Sequence, residues 1–290
     1  MCSLTLRVNA TASDIKNPAY ALVFGSVVVL GLPLNAVSLW ILIRRHSLKS
    51  PSAVFMVNLA ISDVLLVTSL PLRVYFYTMG LWPLGHMTCT WITMLFRNNI
   101  RSSSIFITFI SVDRLLAVVY PLRSRHIRTS ANAWRAAVLV WVAVVLINIP
   151  ESVMFSKTLK KNNETTCFEF KHPVGSPISY LQPVLVLTLL TANIVCTALV
   201  SWTLHRRLND SARIRNKVNV MLIFAMNLLM FTIFFFPASL TVLERKWRCY
   251  AVPLFCLASV NCCLDPVLYY FSFDGFWKRE EAVDNSGREL

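Results

Sequence analysis

The sequence predicts an all-α membrane protein: a seven-transmembrane helix bundle followed by a short amphipathic C-terminal helix. Hydrophobic residues make up 56% of the 290 residues and charged residues only 14%, against about 45–50% and about 25% in soluble domains. The hydrophobic residues fall into seven stretches of about 20 residues, a length that crosses a bilayer. Each stretch must pair its own backbone groups in lipid, which favours helices.

The seven stretches divide the chain into three regions. Residues 1–18 are the predicted extracellular N-terminus, residues 19–272 the transmembrane domain, and residues 273–290 the amphipathic helix and cytoplasmic tail. The predicted spans are Tyr20–Ile43, Ala53–Tyr77, Cys89–Val119, Ala133–Val153, Ile178–Leu204, Val218–Leu243 and Ala251–Phe271. In the last region, Phe273, Phe276 and Trp277 supply the apolar face of the short helix, which would lie on the membrane surface.

The distribution of Lys and Arg predicts that the N-terminus lies outside the cell. Eleven of them fall on one side, in the loops 44–49, 122–128 and 205–217, against seven in the loops on the other side. Cytoplasmic loops collect Lys and Arg, so the first set is inside. The net charge of +14 therefore indicates membrane topology and not nucleic-acid binding. Asn9 and Asn163 each begin an Asn-x-Thr glycosylation sequon, and both fall outside.

Four of the eight cysteines lie on the predicted outer side, where disulfides persist. Four cysteines allow three pairings. We predict a Cys89–Cys167 bond, which ties the third span to the long outer loop. We also predict a Cys2–Cys249 bond, which ties the N-terminus to the last outer loop.

Polar residues and prolines recur at particular places inside the spans. They are Gly31-Leu-Pro-Leu-Asn35, Asn58-Leu-Ala-Ile-Ser-Asp63, Asp113-Arg114-Leu115, Trp141, Phe234-Phe-Phe-Pro237 and Asp265-Pro-Val-Leu-Tyr269. In this order the chain resembles the rhodopsin-like (class A) G-protein-coupled receptors along essentially its whole length. Finer features are similar to the purinergic-receptor-like branch, which includes the lysophosphatidic acid receptors. They are Leu70-Pro-Leu-Arg73, Trp82-Pro-Leu-Gly85 and Asn261-Cys-Cys-Leu-Asp-Pro266.

This resemblance implies a plasma-membrane receptor that couples an extracellular ligand to a heterotrimeric G protein. The residues themselves argue against two other classes. No pair of catalytic groups lies on the helices, as an intramembrane enzyme would need, and no internal repeat of the kind found in transporters is visible.

An ionisable residue within a span is predicted to face the bundle interior, because Asp63 at mid-membrane costs roughly 2.5–3.5 kcal/mol on insertion scales. The resemblance implies a sodium ion and water cluster there, with Asp63 as the main carboxylate. Ser103, Asn261 and Asp265 would surround it, and their oxygen atoms suit a hard cation. The alternative is a hydrated polar network with no fixed ion. Two carboxylates in one apolar cavity resist joint ionisation, so we expect a proton to be shared between them. No other cofactor is predicted.

The resemblance also implies a switch near the cytoplasmic ends of the helices. Asp113 would hold Arg114 at rest, and Arg114 would meet the G protein once the sixth span swings outward. The alternative is an ordinary interfacial ion pair with Arg114 reaching to water. Pro237 should kink the sixth span because it lacks an N–H group. Phe235 stands where many relatives carry Trp, and Tyr269 ends the Asp-Pro-x-x-Tyr motif.

Two residues of the fifth span depart from the pattern of the family. Thr188 stands where a proline is usual, and Cys196 where a tyrosine stabilises the active state. These departures keep open a receptor-like protein that has no ligand of its own.

Basic residues gather at the outer ends of the spans, which predicts an anionic ligand. The candidates are Lys16, Arg73, Arg97, Arg101, Arg245 and Arg248. A charge at membrane depth suggests function, and Arg offers a two-pronged fork to phosphate or carboxylate. Lysophosphatidic acid receptors are similar in having basic residues at the positions of Lys16, Arg73 and the loop between spans six and seven. The resemblance therefore implies an extracellular anionic lipid, a lysophospholipid such as lysophosphatidic acid.

Another small anion, such as a nucleotide, a leukotriene or a carboxylate, is the alternative ligand. Ser239 and Val242 stand where nucleotide-sensing relatives carry His and a basic residue, which argues against a nucleotide. Arg101 has a competing interpretation, since it could reach Glu151 or Asn148 of span four. For Arg73 and Arg97 the alternative is an internal salt bridge. For Arg245 and Arg248 the alternative is a position in a solvated loop.

Overall fold

A computed structural model of the chain contains seven membrane-length helices, which confirms the predicted fold class. The structure describes residues 16–44, 48–161, 167–168, 180–206, 214–241 and 250–269. The first five helices are α1 (Pro18–Arg44), α2 (Pro51–Met79), α3 (Gly85–Val119), α4 (Ser130–Lys161) and α5 (Leu181–Arg206). Helix α6 comprises Ile214–Leu229, Met230–Phe235 and Phe236–Leu240, and α7 is Ala251–Tyr269 with a turn at Val260.

Helix α2 shows how the local sequence sets a helix. The Ser50 hydroxyl accepts a hydrogen bond from the Ala53 N–H at 3.2 Å, and Pro51 occupies the first turn, where its missing N–H costs nothing. At the other end Gly80 takes the left-handed conformation with φ 71°, and its N–H bonds to the Phe76 carbonyl. A residue with a Cβ is strained at that φ, so glycine ends the helix here.

Helix α6 contains a π-helical turn, Met230–Phe235, just before Pro237. The Phe236 N–H bonds to the carbonyl of Phe231, five residues back. Proline cannot donate to the turn before it, and an inserted π turn is one way in which a helix accommodates the lost bond. The predicted distortion is therefore a π turn in this structure, and its use as a hinge stays a prediction.

The helices differ in how far the bundle covers them. In α2, 78% of the most apolar stretch is buried, against 22% in each of α1, α4 and α5. Large apolar side chains such as Leu22, Trp40 and Leu146 are more than half exposed. A lipid environment suits these exposed faces. Helices α2 and α3, whose most apolar stretches are 78% and 50% buried, lie at the centre of the bundle. Below, "outer" and "cytoplasmic" denote the ends that the sequence predicts to face those sides.

Candidate functional site

Arg73 lies near the outer end of α2 inside a cage of three phenylalanine rings. Its guanidinium carbon is 4.2 Å from the ring centroid of Phe168, 4.7 Å from Phe96 and 5.8 Å from Phe24. The side chain is 2% exposed, and no ion pair of the described residues includes it. The faces of aromatic rings attract a cation, so the cage holds the positive charge without neutralising it.

A disulfide brings one wall of the cage into place. Cys89 at the start of α3 is bonded to Cys167, with Cα atoms 5.7 Å apart, which confirms the first predicted pairing. The next residue, Phe168, packs edge-on against Phe76 and Trp82 with ring centroids 5.4 and 5.3 Å apart. The loop residue above Arg73 is thus fixed by one covalent bond and two ring contacts.

Two other predicted ligand residues form an ion group with a carboxylate of α4. Arg97 and Arg101, one turn apart on α3, both donate to Glu151, the second at 2.5 Å. Glu151 is 4% exposed, and two nitrogens of Arg101 have no hydrogen-bond partner. The alternative weighed for Arg101, a contact with Glu151, is therefore present, and Arg97 shares it. Together with Arg73, the group has three positive charges and one negative charge.

The remaining outer candidates are placed only in part. Lys16 is exposed, two residues before the start of α1, and the adjacent Asn17 N–H donates to the carbonyl of Tyr77 in α2 at 2.9 Å. The other predicted outer residues lie outside the described part of the chain and stay predictions: Arg245, Arg248, Cys2, Cys249, Asn9 and Asn163. The same holds for the predicted helix within residues 273–290.

A second polar cluster lies at the centre of the bundle around Asp63, which is fully buried. The Asn99 amide of α3 donates to Asp63 Oδ1 at 3.0 Å and to the Ser103 hydroxyl at 3.1 Å. The Ser103 hydroxyl lies 3.5 Å from the same carboxylate oxygen. Nearby, the Trp141 indole N–H donates to Asn58 Oδ1 at 2.9 Å and fastens α4 to α2.

Several oxygens of this central cluster have no hydrogen-bond partner. They include Asp63 Oδ2, both carboxylate oxygens of Asp265 and the side-chain oxygen of Asn261. Buried polar atoms normally have a partner in protein, water or an ion. Several unpartnered oxygens, with two carboxylates among them, fit a hard monovalent cation with water or a shared proton.

The cytoplasmic end of α3 carries the predicted switch residues. Asp113 is 4% exposed and accepts hydrogen bonds from the Ser52 hydroxyl and from Arg128 Nε at 2.8 Å and Nη2 at 3.3 Å. Sequence reasoning missed Ser52 and Arg128, because neither lies at a helical spacing from Asp113. The predicted role of Arg114 as the moving partner is not tested by these contacts. Tyr269 is buried at the end of α7.

Helices α3, α5 and α6 are joined by a buried polar network that the sequence did not reveal. Ser111 donates to Asn193 Oδ1 at 2.6 Å and accepts from the Asn227 amide at 2.6 Å, while the Asn193 amide donates to Thr108 at 2.8 Å. Two asparagines within long apolar stretches were the available signal.

The two departures of span five lie outside this polar network. Thr188 is exposed and bonds to its own helix, and Cys196 is buried in an apolar cluster with Val200 and Phe224.

At the end of the π turn, Phe235 is fully buried, and its ring packs edge-on against Phe231 with centroids 5.5 Å apart. The Ser239 hydroxyl, one turn further on, donates to the Phe235 carbonyl at 2.8 Å. The hydroxyl group of Ser239 is therefore hydrogen-bonded to the backbone of its own helix.

Comparison with known proteins places this architecture among characterised sequences. Residues 34–269 match the family described as 7 transmembrane receptor (rhodopsin family). Lysophosphatidic acid receptor 6 of Gallus gallus is 34% identical over 290 residues, covering 91% of this chain and 93% of that receptor. Lysophosphatidic acid receptor 4 of Homo sapiens is 34% identical, covering 93% and 80%. Proteinase-activated receptor 1 of Mus musculus is 30% identical, covering 86% and 62%.

Proposed function

Because the chain belongs to the rhodopsin family of seven-transmembrane receptors, we propose that it is a plasma-membrane receptor for an extracellular lysophospholipid such as lysophosphatidic acid. Family membership makes it a multi-pass membrane receptor of the G-protein-coupled class, and coupling to a heterotrimeric G protein is part of the proposal. The family is not enzymatic, which agrees with the prediction that the chain is not an enzyme. The ligand, the cellular membrane and the outside N-terminus are parts of the proposal.

The single observation that carries the ligand class is the buried charge of Arg73. A guanidinium that is 2% exposed has lost most of its water, and a buried charge is normally paired. Among the described residues, the carboxylate of Glu151 in α4 already pairs with Arg97 and Arg101. A phosphate monoester would supply the missing negative charge and accept several of the guanidinium's N–H donors. The similarity to lysophosphatidic acid receptors supports a phosphate attached to an acyl chain.

Signalling would follow from a difference in affinity between two states of the bundle. A ligand shifts such an equilibrium only if it binds one state more tightly. We place the moving part at the π turn, which ends with Phe235 two residues before Pro237, and the G-protein contact at Arg114. Two changes would accompany the shift: Asp113 would be released from its partners, and the environment of Tyr269 would change.

The test is ligand-stimulated nucleotide exchange in membranes from cells that express the full chain. Lysophosphatidic acid should stimulate exchange, and Arg73→Gln should raise the half-maximal concentration about 30-fold or more, the factor given by losing a charge-assisted contact of about 2 kcal/mol. Lys160→Gln is the matched control, since Lys160 is exposed near the outer end of α4. Surface labelling checks expression of each variant.

Unchanged potency for Arg73→Gln would remove Arg73 from the ligand site. A response to nucleotides or carboxylates in place of lysophospholipids would favour the alternative anions. Equal exchange with and without every anion tested would favour a receptor-like protein without a ligand.

We also propose that the central cluster binds a sodium ion, which would act as an allosteric modulator. Asp63, Asp265, Ser103 and Asn261 would hold it, and the unpartnered oxygens of this cluster support the proposal. The ion would supply one positive charge to a cavity with two carboxylates.

A further inference from the structure

We propose that a cavity at the cytoplasmic end of α2, α3 and α4 binds an anionic phospholipid of the cytoplasmic leaflet. The cavity has a volume of about 200 Å³ and is open on one side. Its apolar walls are formed by Phe55, Phe109, Val112, Leu116, Ala133 and Ala136. This site is separate from the outer cage and from the central carboxylates.

The walls favour an acyl chain over a soluble anion. Phe55 and Phe109 close one side with ring centroids 5.2 Å apart. The volume matches roughly seven waters at about 30 Å³ each, yet an apolar wall gives such waters few partners. A short length of acyl chain would bury these walls without leaving polar groups unpaired.

The polar end of the cavity is suited to a negative headgroup. Arg128 lines the cavity, and its side chain is 25% exposed to solvent. Its bonds to Asp113 use two of five N–H donors, which leaves three for phosphate oxygens. Asp113 itself would repel an anion little, since it is 4% exposed and bonded to Ser52 and Arg128.

The surroundings place this polar end at the depth of the inner headgroups. Trp134, at the start of α4, is 38% exposed, and Trp is typical of the membrane–water boundary. Arg123, Arg125 and Arg135 are exposed around the same loop. Basic residues beside a membrane attract the anionic lipids of the cytoplasmic leaflet. One hydrophobic wall, one fork of donors and a basic rim together specify an amphiphile with an anionic headgroup.

Occupation of the site would also affect the neighbouring switch residue. A headgroup phosphate on the remaining N–H donors of Arg128 would share one guanidinium with the carboxylate of Asp113. The proposed lipid therefore has a direct route to the contacts of Asp113.

The experiment uses the purified full chain in nanodiscs and reads binding, so it does not depend on the proposed outer ligand. Phosphatidylserine with a photoreactive group on its acyl chain is compared with phosphatidylcholine carrying the same chain. Cross-linked peptides are then mapped by mass spectrometry. Cross-linking to residues 109–136 should favour phosphatidylserine by about fivefold, the ratio that one basic residue gives near an anionic leaflet.

Two variants and two matched controls test the site. Ala136→Phe fills the cavity and should reduce labelling to that of lipid on an open helix surface, whereas Val138→Phe, at a 57% exposed position of the same helix, should not. Arg128→Gln should remove the preference for phosphatidylserine, whereas Arg44→Gln, at an exposed position at the cytoplasmic end of α1, should retain it. If Arg128→Gln fails to fold, the Ala136→Phe pair still decides the question.

Equal labelling by the two lipids, or equal labelling of the Ala136→Phe and Val138→Phe variants, would overturn the proposal and leave only non-specific surface lipid. Loss of labelling on addition of purified G protein, with no preference between the lipids, would also overturn it. That result would assign the cavity to a protein segment.

Discussion

Replacing Glu151 by Gln should destabilise the bundle strongly. Glu151 is the shared partner of Arg97 and Arg101, and all three side chains lie at the contact between α3 and α4. The amide of Gln keeps the shape of the side chain but removes the negative charge. Two guanidinium groups would then face each other in an apolar setting with no carboxylate between them.

The size of the effect follows from the burial of the group. Breaking a buried ion pair by removing one partner costs about 3–5 kcal/mol, because the other charge is left uncompensated. Each kcal/mol lowers the melting temperature of a domain of 150–250 residues by about 2–4 °C. The apparent melting temperature of the Glu151→Gln variant should therefore fall by roughly 6–20 °C.

The assay is thermal unfolding of the purified chain in one detergent, followed by a thiol-reactive dye on the buried free cysteines. Lys160→Gln, an exposed change on the same helix, should shift the midpoint little. The double variant Glu151→Gln with Arg101→Gln should recover part of the loss, because one unpaired charge is gone. A midpoint for Glu151→Gln equal to that of Lys160→Gln, or no recovery in the double variant, would refute the reasoning.

Three further changes test other parts of the bundle. The unaltered chain should have a higher melting temperature in sodium buffer than in choline buffer, and Asp63→Asn should abolish this difference. The same difference in the variant and in the unaltered chain would argue against the ion. Trp141→Phe leaves the buried Asn58 oxygen without its donor and should cost about 1–3 kcal/mol in thermal unfolding, and a neutral result would deny that bond a structural role. Phe168→Leu removes the ring closest to Arg73 and should lower stability by about 0.5–2 kcal/mol; the same loss in a variant that also carries Arg73→Leu would show that the effect is not a cation–ring contact.

The number and order of the helices could be predicted from the sequence because each span carries its own signal. About 20 apolar residues must form a helix in lipid whatever surrounds them. Topology placed four cysteines on the oxidising side and left three pairings, one of which contains the Cys89–Cys167 bond of the structure. The boundaries were less certain: α4 was predicted to end at Val153 and continues to Lys161. Polar residues beyond Val153 lower the hydropathy of this segment without breaking its helix.

The contacts between helices could be predicted only in part. Charge and spacing suggested that Arg101 could reach Glu151, but they did not show that Arg97 shares this partner, because that depends on how α3 and α4 turn toward each other. The cage around Arg73 was missed for a similar reason. The cage is built from two helices and a loop, which supply Phe24, Phe96 and Phe168. The sequence of an apolar span does not indicate which residue on another helix its aromatic side chains contact.

The ion group between α3 and α4 has a consequence for biosynthesis. Arg101 lies near the middle of α3, and Glu151 is carried by the next helix to be made. A lone charged residue at that depth costs roughly 2.5–3.5 kcal/mol on insertion scales. Neither helix gains its counter-charge until the other is beside it. We therefore expect α3 to wait at the translocation channel until the ribosome has delivered α4, so that the two helices enter the bilayer as a neutralised pair.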